Sequence, residues 1–197
     1  MSRFENDLKF EKDNQTRYDS FYNGHGDIVK VIRTDFSTDK GRKLQEMDID
    51  VVAVMNTGKV TTISEKHRRN NYNDLLIEIY SSYSSFSPGW METSRAKNLV
   101  IFIDDILNPE VIIVDMESLQ SFLSKHRIIE QVKENCSSFY SSGKSSERKV
   151  INIEGRPVEC RLVRSENDGY ATISLAIPWS SINTEYKVYD WNGKRKS

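Results

Sequence analysis

The sequence predicts an α/β protein, and three observations predict it. The chain has 197 residues, near the usual size of one domain, so one hydrophobic core suffices. Short apolar runs rich in β-branched residues recur along it, as strands require. Between and before them lie segments whose apolar residues repeat at helical spacing. The composition is 37% hydrophobic and 29% charged, which places the chain among ordinary globular proteins.

The elements follow in order. From Phe4 to Tyr22 the chain reads as an amphipathic helix: Phe4, Leu8 and Glu11 recur at helical spacing, with Tyr18, Phe21 and Tyr22 further on. Gly24-His25-Gly26 ends it. Ile28 to Ile32 is a short strand, and the polar stretch Arg33 to Lys43 reads as a loop or a partly ordered connection with a turn at Asp39-Lys40-Gly41. Asp48 to Met55 is a strand that opens with acids. Asn56-Thr57-Gly58 fits a three-residue hairpin loop with Gly58 in the left-handed position, and Val60 to Lys66 returns. Asp74 to Tyr80 reads as a third strand or a short buried helix, its length favouring the strand. A serine-rich loop, Ser81 to Pro88, leads to Pro88-Gly89-Trp90 and a buried strand over Asn98 to Ile106. Val111 to Val114 is another strand. Helices are expected over Met116 to His126 and Ile128 to Cys136, and a loop over Ser137 to Ser146. Val150 to Ile153, Val158 to Val163 and Tyr170 to Ile177 read as a meander, with turns at Gly155-Arg156-Pro157 and Asn167-Asp168-Gly169. Lys194-Arg195-Lys196 reads as a frayed end.

The net charge of −1 gives no global basic signature, so any nucleic-acid role must rest on local patches. Cys136 and Cys160 fit no metal spacing and read as small buried residues of a reducing compartment. The N-terminus lacks the apolar core of a signal peptide, and no apolar run nears the ~20 residues of a membrane span. The expectation is a cytoplasmic protein.

Chemistry concentrates between Asp48 and Glu78. Metal-assisted phosphodiester hydrolysis needs carboxylates that hold Mg²⁺ or Mn²⁺ through oxygen. A nearby lysine adds positive charge and can orient the attacking water. Asp48, Asp50, Glu65, Lys66 and Glu78 are of the right types on neighbouring elements. Strand alternation makes their arrangement depend on the turn. A three-residue loop sets Asp50 opposite Ser64 and Asp48 opposite Lys66, with Glu65 pointing away. A two- or four-residue loop sets Asp50 opposite Glu65 and removes Lys66 from the cluster, while a bulge brings both in. Glu78 stands alone among Leu75, Leu76, Ile77 and Ile79, so it must be paired, exposed on one face or bound to something. His67, Arg68 and Arg69 read first as a solvated charge run, and second as phosphate contacts just beyond the catalytic strand.

An acid opening one strand, followed by a triplet ending in lysine on its hairpin partner, resembles the PD-(D/E)XK nuclease superfamily. The string from Thr62 to Ile103, TISEKHRRNNYNDLLIEIYSSYSSFSPGWMETSRAKNLVIFI, is similar to an uncharacterised, mostly phage-type subset. The closing GYATISLAIPWSSI resembles their last strand and turn. The likeness covers roughly residues 40 to 110 and implies a restriction-endonuclease-like core, a mixed central sheet flanked by helices. It implies one domain over 1–197, with the nuclease-like core at about 26–135 and the meander at about 148–180. It also implies a Mg²⁺ (or Mn²⁺) dependent DNA endonuclease of phage or mobile-element origin, often working as a homodimer. Asp50 with Glu65 or Glu78 would hold metal, Asp48 would be an auxiliary acid, Lys66 would orient water, and Arg68 and Arg69 would touch DNA.

Two positions depart from that pattern. Ser64 stands where the triplet has its first acid, and Lys97 or Asn98 stands where a later Asp is expected. Either Glu65 or Glu78 replaces the missing carboxylate, or the site is decayed. In the second case the protein would bind DNA or a host protein, for example as a phage inhibitor of a defence system.

Overall fold

The computed structural model describes residues 3–35, 37–167 and 169–196, with side chains described from Asn14 onward apart from Asn167. In chain order the elements are α1 (Arg3–Gly24), β1 (Ile28–Arg33), α2 (Asp39–Glu46), β2 (Val51–Met55), β3 (Val60–Arg68), β4 (Asp74–Ser82), β5 (Ser87–Pro88), α3 (Trp90–Thr93), β6 (Asn98–Ile103) and β7 (Glu110–Asp115). There follow α4 (Met116–Lys125), α5 (Ile128–Lys133), α6 (Cys136–Ser141), β8 (Ser146–Ile153), β9 (Arg156–Asn167), β10 (Tyr170–Pro178) and β11 (Tyr186–Tyr189). The class is α/β, with one mixed sheet and one antiparallel sheet. No helix among the described residues is long and apolar enough to cross a membrane.

The chain divides into two compact units, each assembled from separate stretches. The first takes the residues up to Tyr72, then Ser94–Glu117 and those from Glu185 on. Its six strands run in the order β1-β2-β3-β6-β7-β11. β3 and β6 are parallel and every other pair is antiparallel. Strand alternation turns Val51, Ala53, Ile63, Val100, Phe102 and Val111 to one face, where Tyr18, Phe21 and Tyr22 of α1 cover them. Phe21 and Tyr22 lose all contact with solvent, worth roughly 1.5–3 kcal/mol per side chain. The helical spacing of these three aromatics is therefore the reason α1 docks where it does.

Two expectations for this unit are corrected. Residues 39–46 form a helix, not a loop. Thr38 caps it, its hydroxyl accepting from the Gly41 amide at 3.0 Å, with Asp39 in the first turn and Lys43 in the last. Gly41 is needed there because a Cβ would lie 1.9 Å from the Asp35 carbonyl oxygen. The C-terminal Lys194-Arg195-Lys196 is not frayed. The Lys196 amide donates to the Val188 carbonyl at 2.8 Å, and its ammonium pairs with Glu110 at 3.0 Å.

The second unit comprises Asn73–Thr93 and Ser118–Thr184. Its sheet runs β5-β4-β10-β9-β8, antiparallel throughout. Here β4 is the correction. It pairs with β10, Glu78 lying opposite Ser174, so it is not the neighbour of β3 that its place in the sequence suggests. Leu75, Ile77 and Ile79 are buried on one side of β4, and β10 matches them with Ile173, Leu175 and Ile177, also buried. The expected core span of 26–135 coincides with neither unit, because 73–93 and 118–135 belong with the meander. The serine-rich stretch after Cys136 opens with helix α6, anchored by buried Cys136 and Phe139. The turn expected at Asn167-Asp168-Gly169 includes Asp168, outside the described residues.

Candidate active site at the end of the β2–β3 hairpin

The hairpin fixes which side chains meet. Met55 donates to the Lys59 carbonyl at 2.8 Å across the Asn56-Thr57-Gly58 loop, and Gly58 takes a φ of +79°, open to glycine without strain. The ladder then sets Val54 opposite Val60 and Val51 opposite Ile63. This is the three-residue register.

Beyond Val51 the ladder changes character. The Asp50 amide donates to the Ile63 carbonyl at 2.9 Å, a position one residue out of step with the strand. The next rung is a side chain: Asp50 Oδ2 accepts the Glu65 amide at 2.7 Å. Asp48 adopts a left-handed backbone at φ 55°. Aspartate tolerates that conformation better than most residues, at a cost of order 1–2 kcal/mol. The chain arrives there from the end of α2, with the Asp48 amide bonded to the Gln45 carbonyl at 2.8 Å. An acid at a helix C-terminus faces the negative end of the helix dipole, so Asp48 needs a cation. Lys66 supplies it: Nζ donates to Asp48 Oδ1 at 2.7 Å, while Ser64 Oγ donates to Oδ2 at 2.6 Å. Ser64 is completely buried and Lys66 keeps part of its side chain in solvent.

Asp50 is in a different state. Burial pushes its carboxyl above the ordinary range, against the pull of Lys66 and the Glu65 amide, and Asp48 and Glu65 push the same way as burial. The hairpin end thus holds two carboxyl groups whose charges oppose each other, with the Lys66 ammonium offsetting both.

Glu65 faces the other side of the sheet. Its Oε2 takes Arg33 at 2.7 Å and its Oε1 takes the Tyr22 hydroxyl at 2.8 Å. Arg33 also holds Asp19 at 2.8 Å. Burial, and then the Glu65 charge, drive the Tyr22 phenol far above its ordinary range. Glu65 is thus the tie between α1 and the sheet. It does not join Asp48 and Asp50, and alternation is the reason. Tyr22 and Arg33 were not marked as site residues by the sequence; only the three-residue register, which turns Glu65 away, hinted that it needed partners elsewhere.

Glu78 belongs to the second unit, on β4. There its Oε1 accepts the Trp90 amide at 3.3 Å. The Pro88-Gly89-Trp90 turn lies against it so closely that a Cβ on Gly89 would meet the Glu78 carbonyl oxygen at 2.0 Å. The co-occurrence of Glu78 and that turn in the sequence therefore has a local physical cause.

The remaining expected positions are placed as follows. Asn98 opens β6 and spends its amide on the Thr61 hydroxyl at 2.7 Å, while the Lys97 amide bonds the Thr62 carbonyl at 3.0 Å. Arg68 ends β3 with its guanidinium 5.2 Å from the Tyr72 ring centre, and Arg69 follows, exposed. Both cysteines are buried, and burial pushes the Cys136 thiol up to about 11 and the Cys160 thiol up to about 12, so neither is a ready nucleophile.

Among the described residues no group of three or more His, Cys, Asp or Glu side chains is placed to hold one metal ion. The donor set at the hairpin end is Asp48 and Asp50. Mg²⁺ is commonly held through one or two carboxylates with water filling its other positions, so this pair fits such an ion in kind. No family model matches the chain, and no curated protein or solved structure matches it.

Proposed function

We propose that the protein is a metal-dependent nuclease acting on DNA, built on a restriction-endonuclease-like core, with Asp48, Asp50 and Lys66 as its working residues. The observation that carries the reading is the joining of Asp48 to Lys66 at the end of the β2–β3 hairpin, with Asp50 beside them. An acid opening one strand and a lysine ending its partner is the arrangement that the resemblance implies.

Asp48 and Asp50 would hold Mg²⁺ or Mn²⁺. When bound, the cation supplies Lewis acidity and a lowered pKa for water at the scissile phosphate. The chain's own residues do the rest. Asp48 holds the Lys66 ammonium on the hairpin's open end, so its charge is already directed when substrate arrives. Lys66 orients the attacking water and offsets charge on the phosphate as it develops. Asp50 is fixed by the Glu65 amide and so needs no reorganisation. Glu65, Arg33 and Tyr22 keep β3 seated against α1 and thereby hold Lys66 in place.

The test is cleavage of plasmid and linear DNA with Mg²⁺ or Mn²⁺, comparing the wild type with Asp48→Asn, Asp50→Asn and Lys66→Ala. Cleavage by the wild type and its loss in all three supports the reading. No cleavage at high protein on several DNA substrates sinks it.

One observation favours a second reading. Ser64 stands in the acid position of the triplet and donates to Asp48, which leaves that carboxylate engaged at both oxygens. A decayed site of this kind would leave a protein that binds DNA or a host protein without cutting. A thermal shift with Mn²⁺ separates the two. A working site gains stability by mass action, and a decayed one does not.

A further inference from the structure

The loop joining β6 to β7 carries the two most exposed large apolar side chains given for the described residues, Ile106 at 97% and Leu107 at 86% of their free surface. A pair of neighbouring aliphatic residues that fully exposed contributes nothing to folding, and a slack loop would tuck them away. This loop is not slack. Asp105 Oδ1 accepts the Leu107 amide at 2.9 Å and the Asn108 amide at 3.1 Å, while Oδ2 accepts the Asn71 amide at 3.0 Å. Those three bonds also hold the Asp105 carboxyl below its ordinary range. The tip is braced outward from its base.

Its neighbours are basic. β3 and β6 run parallel, so the segment after β3 and this loop leave the sheet at the same end. The Asp104 amide bonds the Arg68 carbonyl at 2.8 Å, which places Arg68, Arg69 and the half-exposed Tyr72 alongside. The acids at this end are already engaged: Asp104 with Arg17 at 2.9 Å, Asp105 with the three amides, and Glu110 with Lys196 at 3.0 Å. Lys66 stands two residues before Arg68, roughly 7 Å along the same strand.

We propose that Ile106 and Leu107 form an apolar wedge that enters a base step of bound DNA beside the cleavage position, while Arg68 and Arg69 hold the flanking phosphates. The inference rests on the nuclease reading and specifies how the substrate is gripped. Apolar side chains inserted between bases unstack them and kink the duplex, and neighbouring arginines anchor the backbone. A lipid surface fits less well, because membrane-binding elements present a broad apolar face rather than two residues on a polar turn.

The experiment uses DNA duplexes with 2-aminopurine at successive positions, whose fluorescence rises on unstacking, mixed with the full chain without added metal. Fluorescence should rise at one step with the wild type. Ile106→Ser with Leu107→Ser should abolish the rise and weaken binding about tenfold, with an unchanged melting temperature because both side chains are in solvent. Arg68→Ala with Arg69→Ala should weaken binding and lower the salt slope by about two, while the rise persists at saturation. A rise that survives the serine variant overturns the wedge. So does a serine variant that binds DNA normally yet no longer co-sediments with phosphatidylserine vesicles that the wild type binds. Mg²⁺-dependent cleavage is scored separately. Cleavage without unstacking overturns the wedge and leaves the nuclease reading standing, and unstacking without cleavage does the reverse.

Discussion

The Lys66 ammonium lies 2.7 Å from Asp48 Oδ1, across the open end of the hairpin and against the C-terminus of α2. Three costs meet at Asp48: a left-handed backbone, an unfavourable helix end and partial burial. The lysine offsets them. We expect Lys66→Ala to lose cleavage by at least ~10²-fold, the order seen when one preorganised charge is removed from a transition state. Unfolding in urea should show a smaller effect, because both side chains retain some solvent contact. Lys66→Arg should restore stability without restoring the rate, since a planar guanidinium cannot take the same position.

Asp50 has two separable roles. Its carboxylate ends the ladder by accepting the Glu65 amide, and its charge would serve the metal. Asp50→Asn keeps an acceptor for that amide, whereas Asp50→Ala leaves it unpaired at a cost of about 1–3 kcal/mol. Both should lose the Mn²⁺-induced rise in melting temperature. If the asparagine variant keeps the rise, Asp50 is structural alone.

Glu65→Ala should destabilise by about 1–3 kcal/mol, because it leaves the buried Tyr22 hydroxyl without its acceptor and Arg33 with Asp19 alone. Glu65→Gln should cost less, retaining an acceptor for the Tyr22 hydroxyl. The wild-type response to Mn²⁺ should survive in folded Glu65→Gln. Its loss there would return Glu65 to the metal site.

His67 is half-buried beside Tyr18 on the α1 side of the sheet. Burial lowers its imidazole from 6.5 to about 4, helped by Arg17 and Arg69 and opposed by Asp104. The folded state thus binds a proton less readily than the unfolded chain. Stability is full above the unfolded value and is lost as pH falls from about 6.5 through 4. The displacement corresponds to roughly 3 kcal/mol at most. Urea midpoints measured across that range should drop for the wild type and flatten for His67→Phe. Parallel curves would show that other groups carry the acid transition.

At α2, Gly41→Ala should destabilise although alanine is the better helix former, because the new methyl would meet the Asp35 carbonyl. Thr38→Ala should cost about 1 kcal/mol through loss of the cap. Far-ultraviolet circular dichroism with urea unfolding reads both. A stabilised Gly41→Ala would show that the Asp35 turn yields readily.

By itself the sequence determined the local structure wherever one periodicity dominated. The aromatic stripe of α1, the β-branched runs of β2, β3 and β6 and the Asn56-Thr57-Gly58 turn were all legible, because each depends on residues within a few positions of one another. It also marked Asp48, Asp50 and Lys66, and named the register that would join them. Thr38 was a readable cap that the polar run around Gly41 concealed. Only the tertiary structure decided the rest. The turn could close in more than one register, and that choice sent Glu65 to Arg33 and Tyr22 instead of to the acids. The strand bearing Glu78 follows β3 in sequence but pairs with β10, almost a hundred residues away along the chain. Strand partners are selected by matching apolar faces over long separations, and no local pattern encodes which face will be matched.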